Sequence, residues 1–170
     1  MRNSVIEAFD LPSCWFKLMS EILKYGYERP VFRGAREEHR RKELDNVTIH
    51  VTNPSMRPLV PDVPEGVPPP TSMKYVNEYL RYLITPDKSE WEDYTYGERI
   101  GGLIKLDLID IDARRVAMRS ITQLDYVIKL LKETPETNRA VIEVGRAEDL
   151  SLRHPPCLRY IQMKVRYGKL

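Results

Sequence analysis

The chain has 170 residues, a formal net charge of +2 and 31% charged residues, which is enough length for one domain with a real core. A surface charged so evenly argues for neither DNA nor a membrane as partner; no apolar run is long enough to span a bilayer, and Met1 to Asp10 lacks a signal-peptide pattern. The two cysteines, Cys14 and Cys157, fit free thiols in a reducing cytoplasm better than a disulfide framework.

Pro12 and Ser13 open an amphipathic stretch in which Trp15, Met19, Ile22 and Leu23 recur at helical spacing until Gly26, which predicts a core-facing helix. Arg33 to Lys42, RGAREEHRRK, interleaves both signs of charge and reads as a solvated loop or helix face. Within it, Arg33-Gly34 is the suggestive pair, because a glycine beside an arginine lets backbone and guanidinium approach an anion together. Val47, Ile49 and Val51 alternate with Thr48, His50 and Thr52, a strand pattern ended by Asn53-Pro54. Seven of the 13 prolines fall between Pro54 and Pro70, so this segment is expected to be an extended surface loop or flap. Thr71 or Ser72 then caps a helix with the apolar stripe Met73, Val76, Leu80 and Leu83. At about 100° per residue Glu78 points away from that stripe, flanked by Tyr75 and Tyr82, and on this pattern alone it is a solvated glutamate.

WEDYTYGERI follows, with Gly97 as a break, and Leu103 to Ile111 alternates as a strand. Ser120 or Thr122 can start a third helix, carried by Leu124, Val127, Ile128 and Leu131 and stopped by Pro135; Arg139 to Val144 alternates again before a polar loop. In HPPCLRYIQMKVRYGKL, Pro155 and Pro156 have fixed φ and no N–H, so they end the preceding element and leave Cys157 little backbone freedom. Cys157 is either a small buried residue or a nucleophile on a stiff mount. From Arg159 onward Ile161, Met163 and Val165 alternate with Tyr160, Gln162, Lys164 and Arg166, the signature of a half-buried strand running into a turn at Tyr167-Gly168-Lys169. Such a turn normally returns as a hairpin, so a partner strand beyond Leu170 is expected. Helices and strands interleave without a strict βαβ rhythm, which predicts an α+β or mixed α/β fold.

Several chemistries can be weighed on these residues. Two distant cysteines and His39, His50 and His154 show no zinc-ligand spacing, so no metal site is expected. YGERIGG matches neither common nucleotide-binding glycine motif. A Cys157 hydrolase would use His50 or His154, although two rigid prolines make a direct bond from His154 awkward. Tyr160, Lys164 and Arg166 offer a faint RNA-binding face.

TPETNRAVIEV followed by EDL, then PPC, a glutamine five residues after the cysteine and GKL eleven residues after it, resembles the core of the thymidylate synthase family in its shorter archaeal form. Three upstream stretches agree in order: VNEYLRYL resembles the family's glutamate-bearing helix, YGERI its Tyr-Gly segment, and QLDYVIKLLKETPETNR the helix and turn before its phosphate-binding arginines. The match is tight from about Thr122 to Leu170 and looser before it.

The resemblance implies a single synthase-like domain, its sheet packed by helices, that methylates dUMP to dTMP with 5,10-methylenetetrahydrofolate or a pterin analogue as co-substrate. Cys157 matches the nucleophile that adds to C6 of the pyrimidine, making C5 an enolate carbon able to capture the one-carbon unit. A free thiol of pKa about 8.5 is only a few per cent thiolate at neutral pH, so cationic neighbours would help. Glu78 matches the glutamate that organises water and protons around the base. Tyr96 matches the tyrosine implicated in removal of the C5 proton, and Gln162 a residue of the substrate cavity. Arg139 matches a phosphate-binding arginine that in the family reaches the partner subunit's site, which implies a homodimer, and Arg33 matches one donated within the subunit.

Leu158 stands where the family often has histidine, and Asn138 where it has the first of two adjacent arginines. The family's next segment, with an Arg-Ser pair for phosphate, an asparagine for the pyrimidine edge and a His-x-Tyr for the sugar, is not met by Leu170, so the domain is expected to be C-terminally incomplete. The alternatives are a dCMP or dUMP hydroxymethylase of the same family, which traps water in place of hydride, and a catalytically silent domain that binds nucleotide or RNA.

Overall fold

The computed structural model describes residues 2–33, 36–110 and 115–170. Helices and two-stranded sheets make an α+β fold, as the interleaved pattern predicts. The chain divides into two compact units, Met1–Val76 and Asn77–Leu170. No helix among the described residues is long and apolar enough to cross a membrane.

The first unit opens with a strand that the sequence pattern did not announce. In β1 (Asn3–Ala8) every second residue, Ser4, Ile6 and Ala8, is buried. Helix α1 (Leu11–Tyr25) starts at the Asp10 cap, whose side chain accepts the Ser13 N–H at 2.8 Å in a capping box; Pro12 in the first turn needs no donor. The helix stops at Gly26, as expected, and turns Cys14 onto Ile6 and Ala8.

The described residues of the charged run are strand, not the loop or helix face expected. Strand β2 (Tyr27–Arg33) pairs antiparallel with β3 (Arg36–Glu43), with a register shift between Val31 and Phe32. A strand without apolar alternation carries no period-2 signal, so only the pairing reveals it. Ion pairs Arg29–Glu43 at 2.8 Å and Arg40–Glu28 at 3.6 Å accompany it. Such exposed pairs contribute at most about 1 kcal/mol each, so the backbone ladder is the main tie. Strand β4 (Asn46–Val51), predicted from its alternation, runs parallel to β1 with Ile6 opposite Ile49. Residues 54–70 hold neither helix nor strand, in keeping with their prolines. Helix α2 (Met73–Ile84) follows, and Ser72 rather than Thr71 is its cap, the Tyr75 N–H donating to the Ser72 hydroxyl at 3.2 Å.

In the second unit the expected break at Gly97 is replaced by a short helix, α3 (Tyr96–Ile100), capped by Thr95. Gly97 is there for closeness: a Cβ would collide with the Thr85 carbonyl oxygen and lie 2.7 Å from that of Tyr82. Strand β5 (Leu103–Asp110) pairs antiparallel with β6 (Arg115–Thr122), so Ser120 belongs to a strand that the pattern missed and Thr122 is the helix cap. The predicted strand end at Ile111 lies outside the described residues. Helix α4 (Gln123–Glu133) begins where the Thr122 hydroxyl accepts the Asp125 N–H at 3.1 Å, a cap contributing about 1 kcal/mol. It buries Val127 and Leu130, while Leu124 and Ile128 of the expected stripe stay exposed.

Strand β7 (Val141–Glu143) lies within the predicted stretch and pairs antiparallel with β8 (Tyr160–Gln162). The second strand is shorter than its alternation suggests, because β7 offers only three partners; the Met163 N–H adds a bond to the Ala140 carbonyl at 2.8 Å, yet half-burial still alternates through Val165. Val127, Ala140, Ile142 and Val144 form the core, covered by Tyr96, Ile100, Leu131, Ile161 and Met163. The expected turn is present: Arg166 and Lys169 exchange backbone bonds at 2.8 and 3.0 Å around Tyr167 and Gly168, with φ of 53° and 73°. Two left-handed central residues match the twist of a hairpin.

Candidate functional site

Cys157 is exposed, which decides between the two readings of HPPC in favour of an accessible thiol. Its mount is stiff on both sides. Pro156 is fully buried, and two residues beyond the cysteine the Arg159 carbonyl accepts N–H bonds from Val144 at 2.9 Å and Gly145 at 2.8 Å. The Arg159 side chain also packs onto Gly145, where a Cβ would lie 3.0 Å from Cδ. The thiol is thus carried on a short bridge anchored to the end of β7.

Tyr96 opens α3 and packs on the core of the same unit. Its helix is tied to the segment ahead of Cys157 by a buried ion pair. Arg99 Nη2 donates to Asp149 Oδ1 at 2.7 Å, with the two side chains 7% and 2% exposed. Asp149 sits in a 3-10 turn, Ala147–Ser151, that precedes the two prolines, and its other oxygen accepts the Arg146 N–H at 2.7 Å. The Arg146 N–H, with Arg99, holds the Asp149 carboxyl below the usual carboxylate range against the opposing effect of burial. Arg99 Nε and Nη1 have no hydrogen-bond partner among the described residues. A second tie comes from Gln123, whose Nε2 donates to the Arg99 carbonyl at 2.9 Å and the Glu143 carbonyl at 3.0 Å while its Oε1 accepts the Glu143 N–H at 2.9 Å.

Tyr94 joins the two candidates. Its ring meets that of Tyr96 edge to face, centroids 5.7 Å apart. Burial pushes the Tyr94 phenol up to about 12, and Tyr96, Cys157 and Tyr79 add to the rise, which places all three within electrostatic reach. The sequence pattern does not single out Tyr94; the available signal was a second tyrosine on the other side of the capping Thr95.

Glu78 is exposed on α2, as its helical phase predicts, and lines a cavity of about 550 Å³ with Tyr82, Thr85, Asp87, Lys88, Ser89 and Glu92. None of Cys157, Tyr96 and Tyr94 lines that cavity. Tyr79, the residue after Glu78, is the α2 side chain within electrostatic reach of Tyr94.

Arg139 and Gln162 fall together at one end of the β7–β8 pair. Gln162 is opposite Val141, and Ala140, Ile142 and Val144 face the core, so Arg139, Val141 and Gln162 share the outer face. Both Arg139 and Gln162 are exposed, and Arg139 has no ion pair among the described residues. Arg33 ends β2 in the first unit; its side chain and Gly34 lie outside the described residues. His154 is exposed before Pro155, and His50 is exposed on β4 in the first unit. Among the described residues no group of three His, Cys, Asp or Glu side chains is placed to hold a metal ion.

The chain is 33% identical over 178 residues to a protein of Methanocaldococcus jannaschii named "Putative thymidylate synthase", an alignment covering 99% of this chain and 66% of that protein. Proteins of the same name from Methanosarcina acetivorans and Methanosarcina barkeri are 23% and 22% identical, again over 98% of this chain and 66% of theirs. The chain therefore spans 66%, just under two thirds, of the length of these curated relatives. No protein-family profile matches it, and no solved structure matches it at significance.

Proposed function

We propose that this chain acts as a thymidylate synthase of the archaeal type, converting dUMP to dTMP in the cytoplasm with 5,10-methylenetetrahydrofolate or a pterin analogue as co-substrate. The observation that carries this reading is the Cys157 mount: an exposed thiol between buried Pro156 and anchored Arg159, in a chain 33% identical to a relative of that name. Thiolate addition of Cys157 to C6 turns C5 into a carbon nucleophile, which captures the one-carbon unit. Tyr96 removes the C5 proton, Glu78 manages water and protons around the base, and hydride from the reduced co-substrate completes the methyl group. Gln162, exposed on β8, contributes to binding the pyrimidine.

The phosphate falls to Arg33 and Arg139, with Arg139 reaching the site of the partner in a homodimer. Its exposure, with no ion pair among the described residues, supports that role, since a guanidinium held elsewhere would be less available to grip a phosphate. Both compact units are taken as parts of one domain.

The test is an intact mass spectrum of the purified protein after incubation with 5-fluoro-dUMP and methylenetetrahydrofolate, beside Cys157→Ser. Fluorine at C5 does not leave as a proton does, so the reaction stalls as a covalent complex. A mass increase equal to both ligands, absent from the serine variant, is the expected result. An unmodified wild-type protein refutes the synthase reading.

A further inference from the structure

The segment that carries Cys157 leaves β7 and returns to it. Val144 and Gly145 both donate N–H bonds to the Arg159 carbonyl, at 2.9 and 2.8 Å, so residues 146–158 form a loop closed at its base. Most of that loop is exposed, and its two buried residues are Asp149 and Pro156. Proline has no side-chain donor or acceptor, so a tie with direction falls to Asp149. Its Oδ1 accepts from Arg99 Nη2 at 2.7 Å, and Arg99 stands three residues after Tyr96 on α3. Gln123 fixes the Arg99 main chain in turn, donating to the Arg99 carbonyl at 2.9 Å while it also bonds the Glu143 backbone of β7.

As a source of stability this ion pair is poorly made. Both side chains are buried, yet Arg99 Nε and Nη1 have no hydrogen-bond partner among the described residues, and the Tyr94 ring, 5.7 Å from the guanidinium carbon, offsets only part of that loss. Two apolar side chains of similar volume are often as stable in such a place, or more so; what they lack is a fixed direction. We propose, on the synthase reading above, that Arg99 and Asp149 are positioning residues: their ion pair holds the Cys157 loop in one register against α3, and so presents the Cys157 thiol and the Tyr96 phenol to the same pyrimidine ring. The base of the loop is shared with the strand pair that carries Gln162, and it aims the thiol at C6. The ion pair sets where Tyr96 stands, relative to that thiol, when the C5 proton is removed. A misplacement of about 1 Å in such a step costs up to about a hundredfold in rate.

The experiment compares wild type with Asp149→Asn, Arg99→Lys and the double variant Arg99→Met with Asp149→Leu, each purified and assayed at a temperature where circular dichroism shows it folded. The apolar double variant leaves no unpaired buried charge, so it is expected to melt at or above the wild-type temperature. Its kcat on dUMP is nevertheless expected to fall about tenfold or more with KM little changed, because the loop base and the strand pair are untouched. Its covalent complex with 5-fluoro-dUMP and methylenetetrahydrofolate is expected to form to completion, since that complex needs Cys157 and no C5 proton transfer. Deuterium at C5 of dUMP is expected to slow this variant more than it slows wild type. Arg99→Lys keeps the charge and a donor for Asp149, and is expected to retain more activity than Asp149→Asn. A folded double variant that turns over at the wild-type rate would overturn the proposal, and so would a kcat that falls in parallel with adduct formation and with no added isotope effect, the mark of a merely loosened loop. Where the double variant does not fold, the same readings on Asp149→Asn decide in the same way. Wild-type protein that forms no adduct overturns the synthase reading instead, and this inference with it.

Discussion

Replacing Gly97 with alanine places a methyl group where backbone already stands. A Cβ built there collides with the Thr85 carbonyl oxygen and lies 2.7 Å from the Tyr82 oxygen and 2.8 Å from the Thr85 carbonyl carbon, where real Cβ contacts essentially never fall under 3.0 Å. All three atoms are main chain, so no side-chain rotation relieves the overlap and α3 must retreat from the end of α2. Overpacking costs about 1–3 kcal/mol or more, while alanine returns about 1 kcal/mol of helix propensity; with three backbone clashes we expect a net loss of about 2–3 kcal/mol. For a chain of this size that is a fall in Tm of about 4–12 °C. Urea denaturation should show a lower midpoint with an unchanged slope, since the unfolded surface is the same. The displaced helix also carries Tyr96 and Arg99, so turnover should drop in protein that is still folded at the assay temperature. A Gly97→Ala variant that melts at or above the wild-type temperature would mean that only the propensity gain was felt, and the close approach of α3 would be refuted.

Iodoacetamide under native conditions should label Cys157 and spare buried Cys14, which should react only on unfolding; equal labelling of the two would contradict the exposure of the mount. The lowered carboxyl of Asp149 stabilises the fold above the unfolded carboxylate range, near pH 3.9, and this contribution is lost as pH falls through the lower folded value. Asp149→Asn should therefore lower Tm at pH 7 and the gap to wild type should close below about pH 4; a gap that does not change with pH would sink the assignment. On the proposed synthase reading, Arg139→Ala should raise KM for dUMP about tenfold with a smaller change in kcat, as loss of a phosphate contact does. Unchanged KM would remove Arg139 from the phosphate site.

Legibility in the sequence followed a physical rule: segments whose order is set by their own neighbours could be read, and those set by distant partners could not. Helices α1, α2 and α4 announced themselves through Pro12, Ser72 and Thr122 at their starts and an apolar stripe behind, because caps and helical phase are local. Strand β3 did not, since REEHRRKE has no apolar face and only the ladder to β2 makes it a strand. Strand β6 was hidden for a related reason: its last residue is also the cap of α4, and the cap was the stronger local signal.

The candidate site divides along the same line. By itself the sequence determined that Cys157 has a rigid approach, because two prolines restrict the backbone whatever surrounds them, and that Glu78 turns away from its helix's apolar stripe. Tertiary structure alone decided that the thiol is exposed while Pro156 is buried, and that Gly97 is a point of contact and not a break. It alone brought Arg99 to Asp149 across 50 positions of sequence and laid the Arg99 guanidinium over the Tyr94 ring. Such encounters are set by where helices and strands pack, and a buried charge finds its partner only in the folded chain; no local pattern of residues encodes either.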